Sequence, residues 1–314
     1  MQYKIKKISG DASYREFYKI EKNSMSSILV KANKNKFRNL IIYAAVNELL
    51  IKNKINAPKL VQEYFVDNMM EIKNLGNYSF LEHIKNKKNK FNGYKKLIEL
   101  IIKLQKINLK KNIKFKNNKI RIKEYNLSEL HKESDLFFDW YLKNNGKKKE
   151  FQKNKNKIKK ELNILYKKLY FQKRCFVHRD FHASNIMIKN KKFGLIDSQD
   201  ALKGNLLYDV ASLIDDVRIK LPYELKSSLF KYYLSKTNKI KKGKEKLLAK
   251  NDFDILSVQR NLKILGIFVR LCKLDNKSNY LKYLPYTWQL LELRLKNSIF
   301  INLKYLLNKT VPKK

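Results

Sequence analysis

His178-Arg179-Asp180-Phe181-His182-Ala183-Ser184-Asn185 sets a carboxylate five residues ahead of a carboxamide, and a second carboxylate, Asp197, closes the apolar run Phe193-Gly194-Leu195-Ile196. Phosphoryl transfer from ATP needs these side-chain types. One carboxylate must orient an acceptor hydroxyl and take its proton, and hard oxygen donors must hold the Mg²⁺ that carries the nucleotide phosphates. Asp180 supplies the first group, and Asn185 and Asp197 supply the second. His178 and His182 brace the loop on this reading, because no His/Cys cluster accompanies them.

These groups work only if the chain brings them to one point. Ile186-Met187-Ile188 and Phe193-Gly194-Leu195-Ile196 flank the polar stretch Lys189-Asn190-Lys191-Lys192, which predicts a β-hairpin whose return strand carries Asp197 back beside Asn185. Cys175-Phe176-Val177 reads as a short strand ending at His178. Upstream, Tyr14 to Ile20, Ser27 to Val30, Leu60 to Phe65 and Met69 to Ile72 are strand-like, and Phe37 to Lys52 has apolar residues at helical intervals up to the stop at Asn56-Ala57-Pro58. Residues 1–75 therefore read as a small nucleotide-binding lobe, ending at Asn74-Leu75-Gly76. Residues 76–314 read as a larger, mostly helical catalytic and substrate-binding lobe. Its expected helices are Tyr94 to Ile107, Leu127 to Leu142, Asp209 to Arg218, Leu225 to Leu234, Asp254 to Leu274 and Tyr283 to Leu307; Lys143 to Lys160 is a solvated helix or loop. Asp209 is expected to cap its helix.

The formal net charge of +43 invites a nucleic-acid function. Lys outnumbers Arg, however, and Asn and Ile are abundant while Gly and Pro are scarce, a composition that A+T-rich codons produce without a polyanion partner. The two cysteines, Cys175 and Cys272, offer neither a disulfide framework nor a metal-ligand pattern, and no apolar run opens or spans the chain. A cytoplasmic protein with no membrane contact and no specific nucleic-acid partner is the expectation.

Taken together, the residues resemble the aminoglycoside phosphotransferase and choline kinase superfamily, whose fold is that of protein kinases, and within it the bacterial N-acetylmuramate/N-acetylglucosamine anomeric kinases. The likeness is carried by Gly10-Asp11-Ala12-Ser13-Tyr14-Arg15, by Val177 to His182 with Asn185, by Gly194 to Ala201 running on to Tyr208-Asp209, and by Gln259 to Phe268. The resemblance implies an α+β, bilobal protein-kinase-like fold with ATP and Mg²⁺ as cofactors. It implies Asp180 as catalytic base and Asn185 and Asp197 as metal ligands. Gly10, Asp11, Ala12, Ser13 and Tyr14 would be the turn covering the phosphates. Lys31, paired with Glu48, stands where kinases place a phosphate-binding lysine, and Ile72, Asn74 and Leu75 lie in the hinge that holds adenine. Ser198 departs from the family, which has an aromatic after the metal-binding Asp. Asp200 is open between sugar contact, a second metal and a turn cap, and Arg15 and Arg179 between phosphate and carboxylate.

The implied activity is ATP-dependent phosphorylation of an amino sugar at its anomeric hydroxyl. A nucleotidyltransferase of peptidoglycan recycling would follow as pathway partner. The alternatives are a kinase of another small alcohol, choline-like or aminoglycoside, and a basic nucleic-acid-binding protein with a kinase-like shell.

Overall fold

The computed structural model describes residues 4–8, 15–22, 25–33, 38–145, 147–172, 175–241 and 243–311. Five strands form an antiparallel sheet in the order β1-β2-β3-β5-β4. They are β1 (Lys4–Ile8), β2 (Glu16–Lys22), β3 (Met25–Lys31), β4 (Leu60–Tyr64) and β5 (Met69–Lys73), with α1 (Arg38–Lys52) inserted between β3 and β4. Side chains alternate across the sheet, so one face can be apolar. Val30, Met70 and Ile72 from that face join Leu40, Ile41, Tyr43 and Ala44 of α1 in one buried cluster. The helix ends at Lys52, as its apolar spacing predicts, ahead of Asn56-Ala57-Pro58. Lys54 adopts φ 58°, and the Ile55 N–H bonds back to the Leu50 carbonyl at 2.9 Å while that of Lys54 reaches Ile51. This is the left-handed closure that satisfies orphan carbonyls.

Packing divides the chain into two compact units. One comprises Met1–Lys90, Lys106–Lys123 and His178–Lys203; the other comprises Phe91–Gln105, Glu124–Val177 and Gly204–Lys314. The sheet unit thus contains the whole motif-bearing segment, along with α2 (Phe80–Lys85) and a hairpin of β6 (Asn112–Phe115) and β7 (Asn118–Arg121). That hairpin is absent from the sequence reading, which assigned no element between Ile107 and Leu127. Its strands are four residues each, too short for alternation to stand out. They are held because Phe115 and Ile120 insert into the α1–sheet cluster.

The second unit is helical, as expected, with several shifted boundaries. It comprises α3 (Phe91–Gln105), α4 (Leu127–Leu136), α5 (Lys143–Asn145), α6 (Lys148–Lys167), α7 (Tyr208–Ile214), α8 (Tyr223–Lys236), α9 (Lys244–Asp275), α10 (Leu284–Arg294) and α11 (Ile301–Thr310). Two corrections carry physical content. Asp209 is not the cap of α7: Leu207 takes that position, and Asp209 lies buried in the first turn, where the helix dipole still favours a carboxylate. The run expected as one helix from Leu127 to Leu142 widens into a π-turn at Phe137–Leu142. α9 crosses it there through Gly266, where an added Cβ would sit 2.2 Å from the Leu136 carbonyl oxygen and 2.7 Å from the Phe137 nitrogen. These are backbone atoms and cannot swing aside. Gly266→Ala should therefore cost about 2 kcal/mol by overpacking, read as a lower denaturant midpoint with an unchanged slope. Among the described residues, no helix is long and apolar enough to cross a membrane.

Candidate active site

β8 (Cys175–Val177) leads into the motif loop, and a single 3₁₀ turn at Ala183–Asn185 precedes the hairpin of β9 (Ile186–Lys189) and β10 (Lys192–Leu195). Its register pairs Lys192 with Lys189 and Leu195 with Ile186. Asn190 and Lys191 form the tip with φ 50° and 60°, the paired left-handed conformation of a type I′ turn, whose twist suits the strands. One step past the ladder, the Ile196 N–H bonds to the Asn185 carbonyl at 3.0 Å. The expected return of Asp197 to the side of Asn185 is thereby realised.

The motif loop and the hairpin base are tied together through main-chain carbonyls. The Asn185 carboxamide nitrogen donates to the Asp180 main-chain carbonyl at 3.0 Å and lies 3.3 Å from His182 Nε2. With its N–H groups so engaged, the buried Asn185 presents its oxygen as the remaining acceptor. Asp180 is half-buried, and the contacts to Asn185 and to the His182 N–H fall on its carbonyl rather than its carboxylate. His178, fully buried beneath the loop, has its pKa lowered by burial, against the opposing pull of Asp180 and Asp197.

Asp197 stands in the left-handed region at φ 66° and ψ 41°, a conformation that costs a non-glycine residue energy and is found where surroundings over-determine it. Here they do. Its N–H donates to the Tyr43 hydroxyl at 3.2 Å, and its Oδ1 receives Arg15 Nη2 at 2.5 Å. Arg15 Nη1 donates to Gln199 Oε1 at 2.8 Å. The Asp197 side chain remains 35% exposed while that of Arg15 is 3% exposed. Burial, reinforced by the Asp197 carboxylate, pushes the Tyr43 hydroxyl up to about 12, so it stays protonated. Ser198 is fully buried and donates to Asn47 Oδ1 at 2.7 Å. Tyr43 and Asn47, one turn apart on α1, were missed by sequence reasoning. The available signal was a polar Asn47 directly after the apolar Ala44-Ala45-Val46.

The remaining expected residues are distributed as follows. Gly10, Asp11, Ala12, Ser13 and Tyr14 lie outside the described residues. Lys31 ends β3 exposed to solvent, and Glu48 pairs with Lys52 rather than with Lys31. Ile72 and Leu75 are buried, and Asn74 donates to Ser26 Oγ at 2.8 Å and accepts from the Gly76 N–H at 2.9 Å. That segment abuts the motif hairpin, since a Cβ on Gly194 would meet Leu75 Cδ1 at 2.7 Å. Asp200 is exposed and accepts from Gln199 at 2.9 Å. Arg179 is half-buried with φ 78°.

Residues 4–243 match the family described as "Phosphotransferase enzyme family". An N-acetylmuramate/N-acetylglucosamine kinase of Pseudomonas aeruginosa is 25% identical over 288 residues, covering 90% of this chain and 81% of that protein. A protein of the same name from Neisseria meningitidis is 26% identical over 285 residues, covering 88% and 81%. Among solved structures, a Plasmodium vivax ethanolamine kinase superposes with a TM-score of 0.64 at 14% identity, over 95% of this chain and 84% of that one. The last similarity establishes the protein-kinase-like fold.

Proposed function

The chain belongs to the phosphotransferase enzyme family, and from that premise we propose that it is an ATP-dependent kinase phosphorylating the anomeric hydroxyl of N-acetylmuramate or N-acetylglucosamine. The observation that supports the reading is the backbone closure of the motif, in which Ile196, next to Asp197, bonds to the Asn185 carbonyl and the Asn185 side chain bonds to the Asp180 carbonyl. The substrate class follows the curated relatives, which match nearly the whole chain.

In this reading the Asp180 carboxylate accepts a hydrogen bond from the sugar hydroxyl, aligns its oxygen with the γ-phosphorus and takes the proton as the P–O bond forms. Asn185 and Asp197 offer the hard oxygens that suit Mg²⁺. The donor set fits. One carboxamide oxygen and one carboxylate are the kind of donors that hold Mg²⁺ in nucleotide sites, where one or two side chains serve and phosphate and water complete the shell. When bound, the ion neutralises charge on the phosphates. Asp197 is held in place by Arg15 and Tyr43. The product, a sugar 1-phosphate, is the substrate type of a nucleotidyltransferase.

The test is incubation of the purified chain with ATP, Mg²⁺ and each N-acetyl amino sugar, followed by ³¹P NMR. A new phosphomonoester on the anomeric carbon is expected, and none with the methyl glycoside, whose anomeric oxygen is blocked. Turnover of the methyl glycoside, or of no reducing amino sugar at all, would reject the assignment.

A further inference from the structure

We propose that Arg15, rather than Lys31, is the fixed cation of the nucleotide-phosphate site, set behind the Asp197 carboxylate; the inference rests on the kinase reading above. The argument begins with strand alternation. Glu16 pairs with Lys31 and Phe17 with Val30 across β2 and β3. Val30 is fully buried against α1, so Phe17 shares its face, while Glu16 and Lys31 point to the opposite one. Arg15, two residues before Phe17, falls on the buried face, and its guanidinium reaches Asp197 and Gln199 there. A lysine at 31 lies on the wrong side of the sheet from Asp197.

The surroundings of Arg15 also suit a fixed charge. Its guanidinium lies 5.6 Å from the Phe17 ring centre and 5.4 Å from that of Tyr43. Two aromatic faces and two directed hydrogen bonds hold a planar cation that would otherwise lose rotamer freedom on binding. The Asp197 carboxylate that it holds is 35% exposed, so a cation carried by the nucleotide phosphates can reach that carboxylate while Arg15 stays buried against it. A positive charge fixed there acts on phosphates at low dielectric, where it is worth more than a solvated lysine.

Calorimetric titration of the full chain with ATP, ADP and adenosine in Mg²⁺ separates phosphate binding from adenine binding. Arg15→Met should weaken ATP and ADP by about 30-fold, the worth of a charge-assisted hydrogen bond, and leave adenosine within about twofold, well below the ~1.4 kcal/mol of a tenfold change. Arg15→Lys, which keeps the charge, should recover part of the loss, and Lys31→Met should bind all three ligands as the parent does. Undiminished ATP affinity in Arg15→Met, equal losses for ATP and adenosine, or a phosphate-specific loss in Lys31→Met would each overturn the proposal. Should Arg15→Met not fold, Arg15→Lys decides: weakening confined to ATP and ADP supports it, and any other pattern rejects it. A parent chain that binds no ATP would instead remove the kinase reading itself.

Discussion

Asp180→Asn should lower kcat by about a thousandfold, the scale of a lost general base, with ATP affinity and thermal midpoint unchanged. The substitution keeps the size and shape of the side chain but removes its basicity. It spares the loop, because Asn185 and the His182 N–H hold the Asp180 carbonyl, which any residue supplies. Asp180 is also half-buried, so no deeply desolvated charge is lost. Steady-state kinetics alongside a melting curve distinguish this outcome from misfolding. Full activity in the variant would contradict the role given to Asp180. It is also the result expected of a basic nucleic-acid-binding protein that merely retains a kinase-like shell, whose affinity for mixed-sequence RNA would fall steeply with salt.

Asp215→Asn should be the most destabilising of the substitutions considered, at about 3–5 kcal/mol, the cost of breaking a buried ion network from one side. Asp215 receives Arg294 Nε at 2.7 Å and Nη2 at 2.8 Å. It also receives Lys226 Nζ at 2.9 Å and the Ser257 hydroxyl at 2.5 Å. Lys226 further donates to the Ile214 carbonyl at the end of α7. One carboxylate thus joins α7, α8, α9 and α10, and its loss leaves two buried cations facing each other. Urea unfolding measures the difference, and a loss under about 1 kcal/mol, the scale of an exposed pair, would show that the network contributes little.

The same residue predicts an acid dependence. Burial alone would raise the Asp215 carboxyl, but Arg294 and Lys226 outweigh it and hold the group well below the usual carboxylate range. A carboxylate whose folded pKa is depressed adds stability that is complete above its unfolded value, about 3.9, and drains away as the pH falls below it. The parent should therefore lose stability more steeply than Asp215→Asn as pH drops below about 4.

Much of the site is local in sequence and hence legible. Asp180, Asn185 and Asp197 are separated only by one turn and a tight hairpin, whose apolar strands and polar tip declare themselves. Arg15 was seen as a cation with two options, and only the fold shows it seated on a carboxylate far along the chain. Lys31 illustrates the limit. The resemblance to kinases suggested a phosphate lysine at this position, and only the strand's pairing register shows which face it occupies, since a shift of one residue reverses that face.

Residue type and short-range spacing by themselves determined the phosphoryl-transfer chemistry, the motif hairpin, the sheet-then-helix order and the α+β class, because these depend on local backbone geometry and hydrophobic period. Tertiary structure alone decided that Tyr43 and Asn47 brace Asp197 and Ser198 from α1. It also decided that β6 and β7 are strands at all, and that Gly266 lets α9 close on Leu136 and Phe137. The physical reason is common to all of these. Each is a contact between segments distant in the chain, where the partner's position sets which rotamer, register or missing Cβ lowers the energy, and that partner leaves no periodic trace in the neighbouring residues.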